Sequence, residues 1–293
     1  MRYRIRHLTE YSYAEPMTQS YNLLHMTPRH LPGQRLLHTA IEIDPRPNDF
    51  RERTDYFGNP AAYFSVQGPH ERLAVQATSE VEVDDVPGPE LDLFVPVTVG
   101  QAQRQPQAQV LDVSEMCLDS PMVQTSAGLA DYAAGELAAE RPLIEAVAAL
   151  VARIHADFAY EPGVTTVSTP LHEVLAQRRG VCQDFAHLAI GCLRSHGLAA
   201  RYVSGYLETR PPPGQERLVG VDASHAWISV YVPPGGWVDF DPTNNQRARA
   251  GYITTAWGRD YGDVTPLKGV VFGSAKTQQL DVAVDVERLE ANA

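Results

Sequence analysis

Three residues that together can activate a thiol follow one another in the second half of the 293-residue chain. Cys182 lies in RRGVCQDFAHLAIGCL, His225 in SHAWISVYV and Asp241 in WVDFDPTN. A thiol reacts as its thiolate, which an ordinary cysteine forms to only a few per cent at neutral pH. An imidazole can take the thiol proton, and a carboxylate can fix the imidazole tautomer and stabilise its cation. The set predicts nucleophilic acyl transfer if the fold brings the three side chains together.

A helix is predicted to position the cysteine. Beyond Cys182, apolar residues recur at the offsets of one helix face, and Gly197 ends the pattern where a left-handed cap would lie. The first turn of a helix has unpaired N–H groups and aligned peptide dipoles, which favour a thiolate. Arg178 and Arg179 add positive charge there, whereas Asp184 opposes it. On the helix alone, the ordinary alternative is favoured, a small apolar cysteine at a helix end.

A β-hairpin is predicted to bring the base and the acid together. SHAWISVYV alternates with period two, and WVDFDPT continues as a second strand after a turn rich in Pro and Gly. A three-residue loop, Pro233 to Gly235, would place Asp241 opposite Trp227 and diagonal to His225. A two-residue loop would put Asp241 on the wrong face. Asp239 shares the favoured face, one pair nearer the turn, and is the second candidate for the orienting acid.

A zinc site is a competing interpretation of the same region, with Cys182, His187, Cys192 and His196 as ligands. At about 1.5 Å per residue, the first and last of these lie roughly 21 Å apart along a helix and point to different sides. We therefore expect neither a metal nor a cofactor, and we interpret Cys192 as a core residue.

Three motifs resemble a known family. GVCQDFAHLAIGCLRSHGLAARYVSGYL and SHAWISVYVPPGGWVDFDPTN resemble the core of the bacterial transglutaminase-like (papain-like) cysteine enzyme superfamily. The resemblance implies that Cys182 is the nucleophile, His225 the base and Asp241 the orienting acid. By analogy with related thiol enzymes, Tyr160, Gln183 or a backbone N–H near Cys182 is a candidate for the oxyanion site or the cleft wall. Near the N-terminus, YRIRHLTEYSY, YFGN and LAVQATSEVEV resemble the all-β domain that precedes this core in bacterial members.

The remaining pattern predicts an α+β fold with three parts. Residues 1–100 alternate in short segments and are predicted to form an antiparallel β domain, a sandwich or barrel. Residues 101–125 open with the polar stretch QAQRQPQAQV and are predicted to be a linker. Residues 126–293 are predicted to be the catalytic core, in which the cysteine helix packs on an antiparallel sheet.

Individual elements are predicted from periodicity and from Pro and Gly. We expect N-terminal strands at 3–9, 36–43, 61–67, 73–83 and 91–99. We expect helices at about 126–139, 142–158 and 170–178. Strands at 252–257 and 280–286 are expected to return to one and the same sheet.

Composition limits the partners and the compartment. A net charge of −12 argues against sequence-independent binding to nucleic acid or an anionic membrane. Three cysteines do not make a disulfide framework, and the first residues lack the apolar run of a signal peptide. No stretch reaches the roughly 18 apolar residues of a membrane span. We therefore expect a cytoplasmic protein.

The expected function is that of a thiol-dependent enzyme on peptide, protein or glutamine amides, acting through a Cys thioester. Water as the acyl acceptor gives a peptidase or deamidase, and an amine gives a transglutaminase. Family analogy favours hydrolysis, and nothing in the chain resembles a calcium loop. The alternative is a non-catalytic module on the same fold, in which the N-terminal β domain recognises a peptide or protein.

Overall fold

The computed structural model describes residues 1–84, 97–104, 111–208, 224–234, 236–274 and 277–289. These residues form a six-stranded antiparallel sheet, a five-stranded antiparallel sheet, a short parallel strand pair and a set of helices packed on the five-stranded sheet. This architecture confirms the predicted α+β class with an N-terminal β region. Within the described residues, no helix is both long and apolar enough to span a membrane.

Two long strands form the centre of the six-stranded sheet. Strand β1 (Arg2–Leu24) pairs with β4 (Pro60–Val83) along most of its length. On one side, β2 (Gln34–Asp44) and β3 (Asp49–Thr54) both pair with β4. Most of β1 alternates between buried and accessible positions, as expected for a sheet with one face on a core.

The N-terminal strands are longer than predicted. Residues 61–67 and 73–83 belong to the single strand β4, because Gly68 and Pro69 lie at a break in register with β1 and not at a turn between strands. An irregular position of this kind tolerates a proline, which has no N–H to donate to the ladder. The described residues form one sheet here, not the two stacked sheets of a sandwich. Most of the predicted strand 91–99 lies outside the described residues, and Val99 begins a helix.

The end of the chain completes the N-terminal sheet. Strands β12 (Leu267–Gly273) and β13 (Gln278–Leu289) both pair with β1, whereas β11 (Tyr252–Gly258) lies in the five-stranded sheet. The prediction that 252–257 and 280–286 share a sheet was therefore wrong. Val284 and Val286 on β13 instead bury against Ile5 and Val81 of the N-terminal sheet. The alternation of apolar and polar residues indicates that one face of a strand is buried. It does not indicate which sheet the strand joins.

The predicted linker is partly helical. Helix α1 (Val99–Arg104) and helix α2 (Leu111–Glu115) occupy parts of 101–125, and residues 105–110 lie outside the described residues. Val99 and Ala102 are buried in the main hydrophobic core, so this segment packs against the helices and the five-stranded sheet. These helices are short and contain few apolar residues. Their sequence therefore shows no periodic pattern that would distinguish them from a polar linker.

Four of the other helices follow the prediction closely, except at the end of α3: α3 (Ala127–Ala133), α4 (Leu143–Asp157), α5 (Leu171–Gln177) and α6 (Cys182–Ser195). The short helix α7 (Tyr261–Val264) was not predicted. Ser126 caps α3 by accepting a hydrogen bond from the backbone N–H of Leu129. Helix α3 ends six residues before the predicted boundary, just before Gly135, a residue that weakens helix interiors.

Helix α6 lies at the centre of the core formed by the helices and the five-stranded sheet. Every residue from Asp184 to Arg194 is buried. Strand β11 shares a sheet with β7 (Ala200–Leu207), β8 (His225–Val232), β9 (Gly236–Asp241) and β10 (Gln246–Arg247). The strand order is β10-β9-β8-β7-β11, and α6 packs on one face of this sheet.

The hairpin register agrees with the three-residue loop. Ile228 pairs with Phe240 and Ser229 with Asp239. Continuing this register places Asp241 opposite Trp227, as predicted. The short parallel pair consists of β5 (Ala159–Tyr160) and β6 (Arg179–Gly180), and β6 leads directly into α6.

Candidate active site

Cys182 is the first residue of α6, at the end that carries free backbone N–H groups. The side chain is half-buried and packs against the main core. The buried Asp184 carboxylate holds the entry to the helix: its Oδ2 accepts from the Val181 backbone N–H at 2.8 Å and from the Thr165 hydroxyl at 2.7 Å. The Cys182 thiol therefore lies at a helix end that Asp184 ties to the preceding residue Val181 and to Thr165.

Gly180 makes this tight entry possible, and a side chain there is expected to disturb it. A Cβ at position 180 would lie 2.5 Å from Asp184 Oδ2 and 2.8 Å from Asp184 Cβ. We expect Gly180→Ala to lower the free energy of unfolding by about 1–3 kcal/mol, measured by urea denaturation. Gly135→Ala is the matched control, because nothing lies within 4 Å of a Cβ there. Equal stability of the two variants would contradict the steric argument.

His225 is the first residue of β8 and pairs with Gly205 of β7. Its side chain is 11% exposed, and its Nε2 lies 2.7 Å from Asp241 Oδ2. The Trp227 ring stacks on the imidazole with centroids 6.2 Å apart. Gly205 leaves room for this indole, since a Cβ there would come within 2.6 Å of the Trp227 ring. The ring is thus held on one side by a carboxylate and on one face by an indole.

Asp241 is fully buried and accepts hydrogen bonds at both oxygens. Oδ1 accepts from the backbone N–H groups of Thr243 at 2.8 Å and Asn244 at 3.1 Å. Besides facing His225, Oδ2 accepts from the Asn244 side-chain amide and the Tyr252 hydroxyl, each at 2.7 Å. A buried carboxylate needs such partners to remain ionised.

The pKa values of this pair move in opposite directions. Burial lowers the pKa of His225, but hydrogen bonds with Asp241 and Cys182 and the charges of both groups outweigh it and raise the pKa to about 10. Burial raises the pKa of Asp241, but His225, Tyr252 and Asn244 outweigh it and hold the pKa below its ordinary value. Both shifts favour an imidazolium beside a carboxylate at neutral pH.

The cysteine faces the same imidazole. The Cys182 side chain is one of the two groups whose hydrogen bonding raises the pKa of His225. Because Nε2 is directed at Asp241, Nδ1 is the ring nitrogen left for the thiol. The structure therefore places thiol, imidazole and carboxylate in sequence, an arrangement that can move a proton from sulfur to nitrogen.

The second candidate for the orienting acid has another partner. Asp239 accepts a hydrogen bond from the Trp227 indole N–H at 3.2 Å, and the carboxylate that contacts His225 is Asp241. The hairpin register explains the difference, because Asp239 lies opposite Ser229, one pair farther from the imidazole.

The two candidates for the oxyanion site lie close to the cysteine in different ways. Tyr160 is 55% exposed, packs edge-to-face on Phe185, and has a pKa raised by burial and by the nearby Cys182. Gln183 uses its side-chain amide to donate to the Val167 carbonyl at 3.3 Å. An oxyanion role for either residue remains a prediction.

Sequence reasoning missed the residues that surround the carboxylate. Asn244 and Tyr252 both donate to Asp241, and the Gln246 amide donates to the Tyr252 hydroxyl at 2.7 Å. Asn244 had a usable signal, because polar residues just after an Asp-Pro often turn back on the aspartate. Tyr252 had none, since it reaches the site from β11 on the far edge of the sheet.

The four residues considered for zinc have separate environments. Cys192 is buried in the core, where burial raises its pKa to about 12. His187 Nε2 accepts from the Tyr261 backbone N–H, and His196 Nε2 lies 3.0 Å from the Ala130 carbonyl. In the part of the chain that the structure describes, no group of three or more His, Cys, Asp or Glu is placed to hold a metal ion.

Comparison with known proteins identifies the family. The model of the bacterial transglutaminase-like N-terminal region matches residues 3–82, and that of the transglutaminase-like superfamily matches residues 130–242. An uncharacterized Mycobacterium tuberculosis protein is 42% identical over 302 residues, covering 100% of this chain and 94% of that protein. An uncharacterized Mycobacterium leprae protein is 36% identical and covers 98% of this chain and 99% of its own length. The chain belongs to the transglutaminase-like superfamily.

Two further comparisons concern proteins named for an activity. A solved structure of a candidate cysteine protease from Cytophaga hutchinsonii has a TM-score of 0.78 and 21% identity, and the match covers 100% of this chain and 92% of that one. It shows that the two share a fold. A protein-glutamine gamma-glutamyltransferase of Pseudomonas aeruginosa is 36% identical over 101 residues, 33% of this chain and 15% of that protein.

Proposed function

We propose that this protein is a cysteine enzyme that cleaves amide bonds of peptides or proteins, with Cys182 as nucleophile, His225 as acid and base, and Asp241 as orienting group. The observation that carries the proposal is the convergence on one imidazole of the Cys182 side chain and, at 2.7 Å, the Asp241 carboxylate. A structural scaffold has no need to bury a carboxylate with five hydrogen bonds beside a histidine and a thiol.

The proposed reaction has two stages. The Cys182 thiolate attacks the amide carbonyl carbon, the C–N bond breaks, and His225 gives its proton to the departing amine, which leaves a thioester on sulfur. Water then attacks the thioester, His225 takes a proton from that water, and the carboxylic acid product departs as the sulfur is released. Asp241 keeps the imidazole oriented and stabilises its cation throughout.

The acyl acceptor separates a hydrolase from a transferase. We propose water, in line with the protease description of the Cytophaga protein, and the glutamyltransferase name of the Pseudomonas relative supplies the alternative acceptor, an amine. The predicted cytoplasmic location and the predicted lack of nucleic-acid and membrane partners stay predictions.

Mass spectrometry of a glutamine-containing peptide, incubated with the protein with and without a primary amine, tests two points. It shows whether an amide bond is cleaved and whether water or the amine accepts the acyl group. We expect cleavage or ammonia release that the amine does not divert, and Cys182→Ala should form no product. Incorporation of the amine would replace the hydrolase by a transglutaminase. Absence of any product and of any acyl-enzyme across a peptide library would favour the non-catalytic binding module.

A further inference from the structure

A second candidate binding site lies on the face of the core sheet opposite α6. Arg201 on β7 sits between two indole rings, with its guanidinium carbon 3.8 Å from the Trp257 ring centroid and 4.2 Å from that of Trp237. Its neighbours along the strand, Ala200 and Tyr202, face the core beneath α6. Since successive strand residues alternate, Arg201 points to the other face.

The guanidinium of Arg201 lacks hydrogen-bond partners. Its Nε is buried without a partner, and no hydrogen bond or ion pair joins the group to a residue within the described ranges. Arg29, which stacks on the same Trp257 ring, also has a buried Nε without a partner, but its Nη1 donates to the Phe57 carbonyl and the Asn59 side chain. Buried polar groups in proteins are nearly always paired, so the unpaired Nε–H of this cation calls for an external acceptor.

The charge of the Arg201 guanidinium favours an anionic ligand. Burial lowers the pKa of Arg201 to about 9, opposed by the charge of Asp239 and assisted by that of Arg29. The side chain is therefore cationic at neutral pH. A partly desolvated cation of this kind gains more from an anionic ligand than an exposed one does.

A cavity of about 360 Å³ opens beside the guanidinium. Its walls are the loop with Tyr56 and Phe57 from the N-terminal sheet, helix α2 with Asp112 and Glu115, and the two tryptophans. This volume and this mixture of aromatic surface with few polar groups are typical of small-molecule sites. The cavity lies between the two sheets, where ligand sites are common.

We propose that this cavity binds a monocarboxylate of the size of one or two amino acids, such as the carboxyl terminus of a peptide or an acylated amino acid. The guanidinium carbon of Arg201 lies within 4.2 Å of two indole ring centroids, so aromatic surface covers part of this cation and its N–H edge is the part left for a ligand. That edge presents parallel donors that match a planar carboxylate. Asp112 and Glu115 disfavour a dianion such as phosphate, and they can accept the N–H of the ligand's amide.

This site is distinct from the thiol site and goes beyond the proposed amide chemistry. Gly205, which pairs with His225, lies four residues after Arg201. At about 3.3 Å per residue, this separation is roughly 13 Å along the strand. Binding at Arg201 can therefore be measured whether or not Cys182 proves to be a nucleophile.

Calorimetric titration of the full chain tests the proposal with three probes: N-acetyl-L-alanine, its neutral amide N-acetyl-L-alaninamide, and inorganic phosphate. We expect the acid to bind about tenfold or more tightly than the amide, because only the acid pairs with the guanidinium. We expect phosphate to bind more weakly than the acid. Equal binding of acid and amide, no binding of the acid at millimolar concentration, or tighter binding of phosphate would each overturn the assignment.

Variants assign the effect to the residue. Arg201→Met keeps an unbranched chain between the indoles and removes the donors, so we expect about a tenfold or larger loss of acid binding. Arg51→Met removes an equal charge from an exposed arginine on β3 and should leave binding unchanged. Arg201→Met should alkylate at Cys182 at the wild-type rate. If that variant does not fold, Arg201→Lys, which keeps the charge but not the planar fork, should show the same loss, and wild-type affinity in either would refute the proposal.

Discussion

Replacing His225 with alanine is expected to lower turnover of an amide substrate by roughly 10²–10⁴-fold and to slow alkylation of Cys182 near pH 6 by about tenfold or more. In the proposed mechanism His225 holds the thiol proton, and its contacts with Asp241 and Cys182 outweigh burial and raise its pKa to about 10. Without the imidazole, the sulfur keeps only the help of the helix N-terminus. The variant therefore has no imidazolium to stabilise a thiolate at position 182.

The pH dependence of labelling makes this result specific. The iodoacetamide rate at Cys182 should be higher in the wild type than in His225→Ala, and this difference should grow as pH falls from about 8 to 6, because the imidazolium of His225 persists there. Peptide mapping separates the sites, because burial raises the pKa of Cys117 to about 11 and that of Cys192 to about 12 and makes both slow internal controls. Identical profiles for wild type and variant would rule out the thiolate–imidazolium pair.

Asp241→Asn is expected to have the second largest effect. Turnover should fall by about 10²–10⁴-fold, because the amide neither fixes the productive imidazole tautomer nor stabilises its cation. The His225 pKa should drop far below 10, since burial is then opposed by Cys182 alone. Loss of the charged acceptor for Tyr252 and Asn244 should also lower the free energy of unfolding by about 1–3 kcal/mol.

The stability difference between wild type and Asp241→Asn should depend on pH in a defined way. The pKa of Asp241 is lowered in the folded state, so its contribution is present above its ordinary pKa of 3.8 and is lost as pH falls through the folded value. The pKa of His225 is raised, so its contribution is complete below 6.5 and is lost as pH rises towards about 10. The difference should therefore be largest between about pH 4 and 6.5 and shrink on both sides.

Asp239→Asn is the matched control for this experiment. Asp239 is a neighbouring acid on the same strand, and its recorded hydrogen bond comes from Trp227. We expect its replacement to leave the pKa of His225 unchanged, as measured by NMR titration of the ring. Turnover should stay within a few-fold of wild type. An equal effect of the two variants would show that the register does not select the acid.

Local physical rules account for most of what was predicted about the site. A single periodic segment ending at Gly197 defines α6 and places Cys182 in its first turn. Hairpin register depends on loop length, so the three-residue loop that brings Asp241 to the side of His225 also pairs Ile228 with Phe240. These features involve neighbours in sequence, where spacing and stereochemistry restrict the outcome strongly.

Contacts between distant segments could not be derived in this way. Tyr252 reaches Asp241 from another strand, β13 buries its valines against the N-terminal sheet, and Arg201 lies between tryptophans from two different strands. By itself, the sequence determined the helix and the strand faces, because these follow from short-range periodicity, and its residue types supplied the thiol, the imidazole and the carboxylate. Only the tertiary structure decided which sheet each C-terminal strand joins and which groups enclose the carboxylate, because such choices depend on the packing of surfaces far apart in the chain.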